Sequence, residues 1–257
     1  MKKITLALAT LITLPLSCYA NAEVEKSEVT VGLVSQYAPK YMGSKNDKTD
    51  FLPYFDWTKG SWFANSEKGV GYQHQFDTGF YLGQALGYSW GRADDDSWYQ
   101  DGSRHLKGMG KINAAMTSTT TLGWWMAEWI GFESNIIAPL TDSQGMQYKI
   151  GLNVVLFNDG DNTLVVNTER KYGDARFNNT WFGVNEKQSQ NSGFKPFRSD
   201  WGLNSVDYSI NWQHTFSPNW SGYAEVRYTT LASRVSHSPL VEKDDFMTGT
   251  LGVFYTF

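Results

Sequence analysis

Cysteine is almost missing from this sequence: of 257 residues one is a cysteine, Cys18. No disulfide framework, thiolate metal site or cysteine nucleophile can be assembled from it. Long apolar runs are missing too, because nothing beyond residue 22 approaches the roughly 18 apolar residues of a membrane helix. Positive charge is in deficit, 22 Lys and Arg against 26 Asp and Glu, for a net charge of −4. That balance argues against a nucleic-acid partner. Histidine is limited to four, His74, His105, His214 and His237. Zinc spacing and the strand–turn–helix serine elbow of the hydrolases are both lacking.

What the sequence does have begins with a leader. Lys2 and Lys3 precede an apolar stretch from Ile4 to Ser17, followed by a small-x-small site at Ala20-Asn21-Ala22. This pattern predicts an export signal over 1–22, cleaved after Ala22, and one domain over 23–257. Pro15-Leu16-Ser17 before Cys18 fits a lipoprotein signal poorly, since proline stands where an aliphatic residue is usual. Aromatic residues are abundant at 16%, with 11 Trp, and occur beside 24 Gly. Many short strands and few helices follow from that mixture.

The period is that of a strand. From Ser205, Val206, Tyr208, Ile210, Trp212 and Phe216 fall on one face, with Asp207, Ser209, Asn211 and Gln213 on the other. Trp220, Gly222, Ala224, Val226 and Tyr228 oppose Glu225 and Arg227, and Tyr148, Ile150, Leu152, Val154 and Leu156 oppose Lys149 and Asn153. Ile112, Ala114 and Met116 are read the same way against Lys107 and Lys111. A soluble sandwich buries its apolar face, whereas a membrane barrel turns it to lipid and lines its interior with polar groups.

Strand length and connection length favour the barrel. Twelve strands are predicted, at about 28–37, 50–57, 60–66, 68–76, 79–91, 107–118, 121–134, 145–157, 162–183, 201–216, 219–232 and 245–257, with ten possible because two strands within 50–76 are short and briefly connected. Tight turns are expected at 58–60, 77–79, 118–121, 158–162 and 217–219, and long polar loops at 92–105 and 184–200. Alternating short turns and long loops, with an even strand count, put both termini on the periplasmic side of a Gram-negative outer membrane. Trp57, Trp62, Phe76, Phe80, Trp90, Phe216 and Trp220 sit at predicted strand ends, as interfacial girdles would. The polar faces nominate Lys107, Lys111, Glu128, Lys149, Glu169, Asp207, Glu225 and Arg227 for the lumen. Leu251, Val253, Tyr255 and Phe257 alternate toward lipid, and Phe254 and Phe246 break the polar pattern opposite them.

Chemistry is scarce. His74 and His214 lie on apolar faces near turns and read as interfacial packing, and Ser236 and Ser238 around His237 read as solvated loop. Asp94-Asp95-Asp96 lacks the alternating ligands and glycine of a calcium loop. No enzyme, cofactor or metal site is expected.

Three stretches resemble one family. Tyr37, Pro39, Tyr41, Gly43 and Ser44, followed by Pro53 to Asp56, are similar to the opening of the MipA/OmpV family, outer-membrane proteins named for interaction with a murein lytic transglycosylase. Phe182, Gly183 and Val184 with the Gln-Ser and Ser-Gly sequence after them resemble its middle segment, with Trp181 where tyrosine is usual. Ser238 and Pro239 open a segment resembling its last outer loop. The resemblance covers about 29–257. It implies a barrel without a catalytic role, an adaptor between a lytic transglycosylase and a bifunctional penicillin-binding protein. It also implies that Tyr255 and Phe257 form a C-terminal signal read by the barrel-assembly machinery. A small-solute channel, a surface-binding protein using loop aromatics such as Trp98 and Tyr99, and a lipid-modifying enzyme stand as the alternatives.

Overall fold

The computed structural model describes residues 27–97 and 99–257. The leader with Ala20 and Ala22, and the loop residue Trp98, lie outside them. Twelve antiparallel strands form a closed barrel. They are β1 Ser27–Pro39, β2 Asp47–Lys59, β3 Trp62–Asn65, β4 Gly69–Gln75, β5 Phe80–Ser89, β6 Ala115–Ala127, β7 Ile130–Pro139, β8 Gln147–Asn158, β9 Asn162–Gly173, β10 Gly202–Thr215, β11 Trp220–Leu231 and β12 Asp245–Thr256. Each strand pairs with its sequence neighbours, and β1 closes on β12 from Thr30↔Thr256 to Tyr37↔Gly249. A barrel without free edges satisfies its backbone internally, which is what lets strands cross lipid. Among the described residues no helix is long and apolar enough to span a membrane.

Two ends differ. Short turns join the strands at the end that carries both termini. Longer segments join them at the other, including a 3₁₀ turn at Arg104–Leu106 and helices α1 Ala175–Phe182, α2 Glu186–Ser192 and α3 Ser233–Ser236. Alternation sorts the side chains as period 2 requires. Leu33, Leu82, Leu122, Ile210, Val226, Leu251 and Val253 are exposed on the outer wall, while Thr30, Asp207, Ser209, Asn211, Glu225 and Thr250 are buried inside. Trp62, Phe76, Phe80, Phe216, Trp220 and Phe257 ring the termini end on the outside.

Three expectations are corrected. The segment 107–114 is loop, because Gly108 (φ 89°) and Gly110 (φ 77°) adopt left-handed backbone that a strand excludes. Lys107 and Lys111 therefore stand exposed in that loop and not in the lumen. The run Ser118–Thr121 is the middle of β6, where β-branched threonines suit the pleat, and not a turn. The turn falls instead at Glu128-Trp129, so Glu128 is exposed at the termini end and not a lumen residue. The strand expected over 162–183 stops at Gly173, where Asp174 accepts a hydrogen bond from the Phe177 N–H and caps α1.

Candidate functional site

A twelve-stranded barrel is wider than the eight-stranded size that ordinary side chains fill, so its interior needs large residues to close. At the termini end it has them. Tyr54, Val34, Val165, Tyr223 and Phe254 form one buried cluster, with Trp125 and Val155 packed against it. The Phe254 ring, 0% exposed, meets Tyr54 edge-on at 4.8 Å. It lies over Gly32 and Gly252, where a Cβ would come within 2.4 and 2.6 Å of it. The phenylalanine that breaks the polar pattern of β12 is thus the centre of an aromatic plug.

Beyond the plug, toward the loop end, lies a cavity of about 770 Å³. Five carboxylates line it (Glu67, Glu133, Glu169, Asp207 and Glu225), as do five cations (Lys68, Arg92, Lys149, Lys171 and Arg227). Many are paired. Lys171 Nζ reaches Asp207 Oδ2 at 2.6 Å and Glu169 Oε1 at 3.5 Å. Arg227 grips Glu225 at 3.0 Å and lies 3.6 Å from Asp207. Tyr223 donates to Glu225 at 3.0 Å and Tyr81 to Glu133 at 2.8 Å. Charges of both signs in one network hold one another in place, whereas a single-sign ring would select ions.

The long loops roof this cavity. Tyr41, Leu106, Met109, Val184 and Leu240 form a buried cluster, joined by Phe194 and Phe197, and Phe182, Leu231 and Val235 form a second. Tyr41 donates to the Leu240 carbonyl at 2.8 Å, and its hydroxyl is pushed well above the ordinary tyrosine range by burial and by Glu242. Ser238 donates to the Phe182 carbonyl at 2.5 Å and accepts from the Leu240 N–H. The Gly43 carbonyl accepts from the N–H groups of Glu242 and Lys243. Burial opposes ionisation of Glu242, but Lys45 at 2.8 Å and His105 at 3.6 Å outweigh it and hold its pKa below the usual range. Arg92, buried under the roof, donates to the Trp181 carbonyl at 2.6 Å, and desolvation draws its pKa down to about 10, against Tyr41 and Asp94.

The residues singled out in the sequence thus meet in two places. Tyr41, Gly43, Ser44, Phe182, Gly183, Val184 and Ser238 are all buried in or beneath the roof, although nearly two hundred positions separate the first from the last. Pro39 ends β1, and Pro239 sits in the roof loop beside them. Tyr37 belongs to the outer wall, where it donates to Asp47 Oδ2 at 2.6 Å. Lys149, Asp207, Glu225 and Arg227 line the cavity. Tyr255 and Phe257 stack edge-on at 4.9 Å on the outer face of the seam. Sequence reasoning missed Glu67, Lys68, Arg92, Glu133 and Lys171. Lys171 shares the period-2 face of Glu169 and was findable. Glu67 and Lys68 lie in a turn, which has no period to read. The hydroxyl of Ser238 is spent on the roof, and His237 is exposed beside it. Among the described residues no cluster of His, Cys, Asp and Glu could hold a metal ion.

A closed barrel with an apolar outer belt, aromatic rings and a polar interior is a transmembrane barrel of the Gram-negative outer membrane. The chain belongs to the MipA family: the family model described as "MltA-interacting protein MipA" matches residues 31–257. No curated protein matches the sequence. Similar solved structures include the KdgM porin (8% identity, TM-score 0.41, covering 90% of this chain and 99% of that one). The NanC porin gives 11% and 0.42, with 90% and 99% covered. An outer-membrane channel from Pseudomonas putida F1 gives 7% and 0.44, with 93% and 99% covered.

Proposed function

We propose that this protein is a non-enzymatic barrel that recruits a murein lytic transglycosylase to the outer membrane, with the termini end periplasmic. On this reading the barrel is an adaptor that brings the transglycosylase together with a bifunctional penicillin-binding protein. The family match over nearly the whole described chain carries the proposal. Two features of the termini end support it. The aromatic plug fills the lumen there, which suits a docking platform better than a conduit. The short turns also present Asp77, Glu128, Asp159 and Asp161, all exposed, against Lys59. The Asn162 N–H, together with its side chain and the Asp161 N–H, keeps Asp159 ionised below the usual carboxylate range. An acidic rim of this kind steers a partner with a basic face and gives a salt-dependent on-rate.

Detergent-extracted protein is expected to retain a lytic transglycosylase above an unrelated barrel, with retention falling as salt rises. Changing Glu128 and Asp159 together to Lys is expected to slow association. Retention equal to the control barrel would sink the reading. The charged cavity favours a second one, a small-solute channel, for which planar-bilayer recordings would show conductance steps.

A further inference from the structure

The barrel wall has a notch. Strand β2 pairs with β1 over its whole length, from Ser27↔Lys59 to Pro39↔Asp47, but with β3 only from Asp56 to Lys59. β3 and β4 are short and turn at Ser66–Lys68, and β5 pairs with β4 only as far as Leu86. Among the described residues, β2 and β5 have no partner on the facing sides above that turn. Phe55 marks where pairing stops: its N–H donates to Ser66 Oγ and its carbonyl accepts from the Ser66 N–H, both at 2.9 Å. Backbone groups two residues apart point the same way, so those of Pro53 and Phe51 face the notch. Proline stands where its missing N–H leaves one fewer unpaired donor, as on an edge strand. The loop above closes the top, with Asp101 2.9 Å from Lys48.

The notch lies at membrane height. Its β2 side, Asp50 to Tyr54, spans about 16 Å of strand, level with the lipid-facing Leu33 and Phe51, and Leu86 and Tyr88 face lipid across it. An unpaired sheet edge does not survive in hydrocarbon, and is tolerated only where it borders a watered cavity. That cavity is present: Glu67, Lys68, Gly87 and Ser89 belong both to the rim and to the cavity lining, and so does Tyr88, whose strand position faces lipid. Leu52 marks the opening from the other side. Its register with Val34 turns it inward, where Tyr54 and Asp56 of the same strand are buried, yet it is 49% exposed.

We propose that this notch is a lateral doorway through which the cavity takes the head group of a single-tailed phospholipid, the tail remaining in the bilayer. The doorway is apolar at Phe51, Leu52 and Tyr88. Inside it, Lys68, Lys149 and Glu67 hold no side-chain hydrogen bond or ion pair among the described residues, while Glu225, Asp207, Lys171 and Arg227 are paired with one another. Two lysines and one glutamate without a hydrogen-bonded partner match a phosphate ester that carries an amine. The cavity of about 770 Å³ has room for a head group of that kind together with water.

The test uses the full chain with Cys18→Ser, folded into nanodiscs, with a bimane label at Leu86→Cys on the rim or at Ile210→Cys on the far wall. Lysophosphatidylethanolamine with a nitroxide on its tail is the probe. Quenching at the rim is expected at about tenfold lower probe than at the far wall. Leu52→Trp and Lys149→Gln are each expected to return the rim to the far-wall curve, with heat-modifiable gel mobility confirming that both variants fold. Free phosphoethanolamine is expected to compete, and an alkyl maltoside of equal tail length is not. Equal curves at the two positions, indifference to Lys149→Gln, or equal competition by the maltoside would overturn the proposal.

Discussion

A single methyl group is a demanding probe of the plug. At Gly252 the nearest atoms a Cβ would meet belong to the Phe254 ring, the first at 2.6 Å. Gly252→Ala is therefore expected to destabilise by about 1–3 kcal/mol through overpacking, read as a lower urea midpoint of the heat-modifiable form. Phe254→Leu in the same chain relieves the contact, so the double variant should be less destabilised than the two single losses added together. Strict additivity would mean that the ring and the glycine do not share one space. Glu242 gives the matching test at the roof. Its folded pKa lies below its ordinary 4.5, so the stability it contributes is present above that value and lost as pH falls through the folded value. Proteolysis at Lys45 and Lys243 should accelerate as the pH drops through that window. Glu242→Gln should show the faster cleavage already at neutral pH, with little further change on acidification.

Strands follow from period 2 where both faces are long enough to show it, and the closing seam is the clearest case. On β12, Leu251, Val253, Tyr255 and Phe257 turn outward, Phe257 being 71% exposed, while Thr250 and Thr256 turn inward. Thr256 Oγ1 meets Thr30 Oγ1 at 2.9 Å, and the Phe257 N–H donates to the Val29 carbonyl at 2.9 Å. Phe257→Ser removes an aromatic from the outer ring without touching those bonds. It is expected to lower the heat-modifiable protein recovered from outer membranes while leaving the urea midpoint of the assembled fraction near that of the parent. Unchanged recovery would refute a role for Phe257 in assembly. Helix α1 is absorbed into the strand expected over 162–183 because Arg170 to Phe182 retains enough alternation to mimic one. The cap at Asp174 decides it, and Asp174→Ala should cost about 1 kcal/mol, seen as faster hydrogen exchange in α1.

At the scale of the molecule, the plug and the roof bound the cavity from its two ends. With the lumen filled by Phe254 and Tyr223, planar-bilayer recordings of the intact protein should show no steady conductance. Phe254→Ala with Tyr223→Ala should introduce it, at the cost of stability. Steady steps from the intact protein would favour the channel reading instead.

Alternation along each strand set the two faces of the sheet, because a side chain's face depends only on its neighbours one and two positions away. Strand and connection lengths pointed to the barrel, and closure of the sheet fixed twelve strands where the sequence also allowed ten. The outer-loop motifs were legible for the same reason, as short contiguous strings. Where they converge was not, since the bond from Tyr41 to Leu240 spans 199 positions and exists only once the seam closes. Which lumen charges pair depends on register between strands: Lys171 meets Asp207 across 36 positions because β9 and β10 align Glu169 with Asp207. Lys107 and Lys111, placed in the lumen by alternation, left it because two left-handed glycines end the strand pattern. The notch between β2 and β5 is likewise tertiary. Short strands at about 60–66 and 68–76 can be read from sequence, but a missing neighbour becomes visible only when the sheet is closed around them.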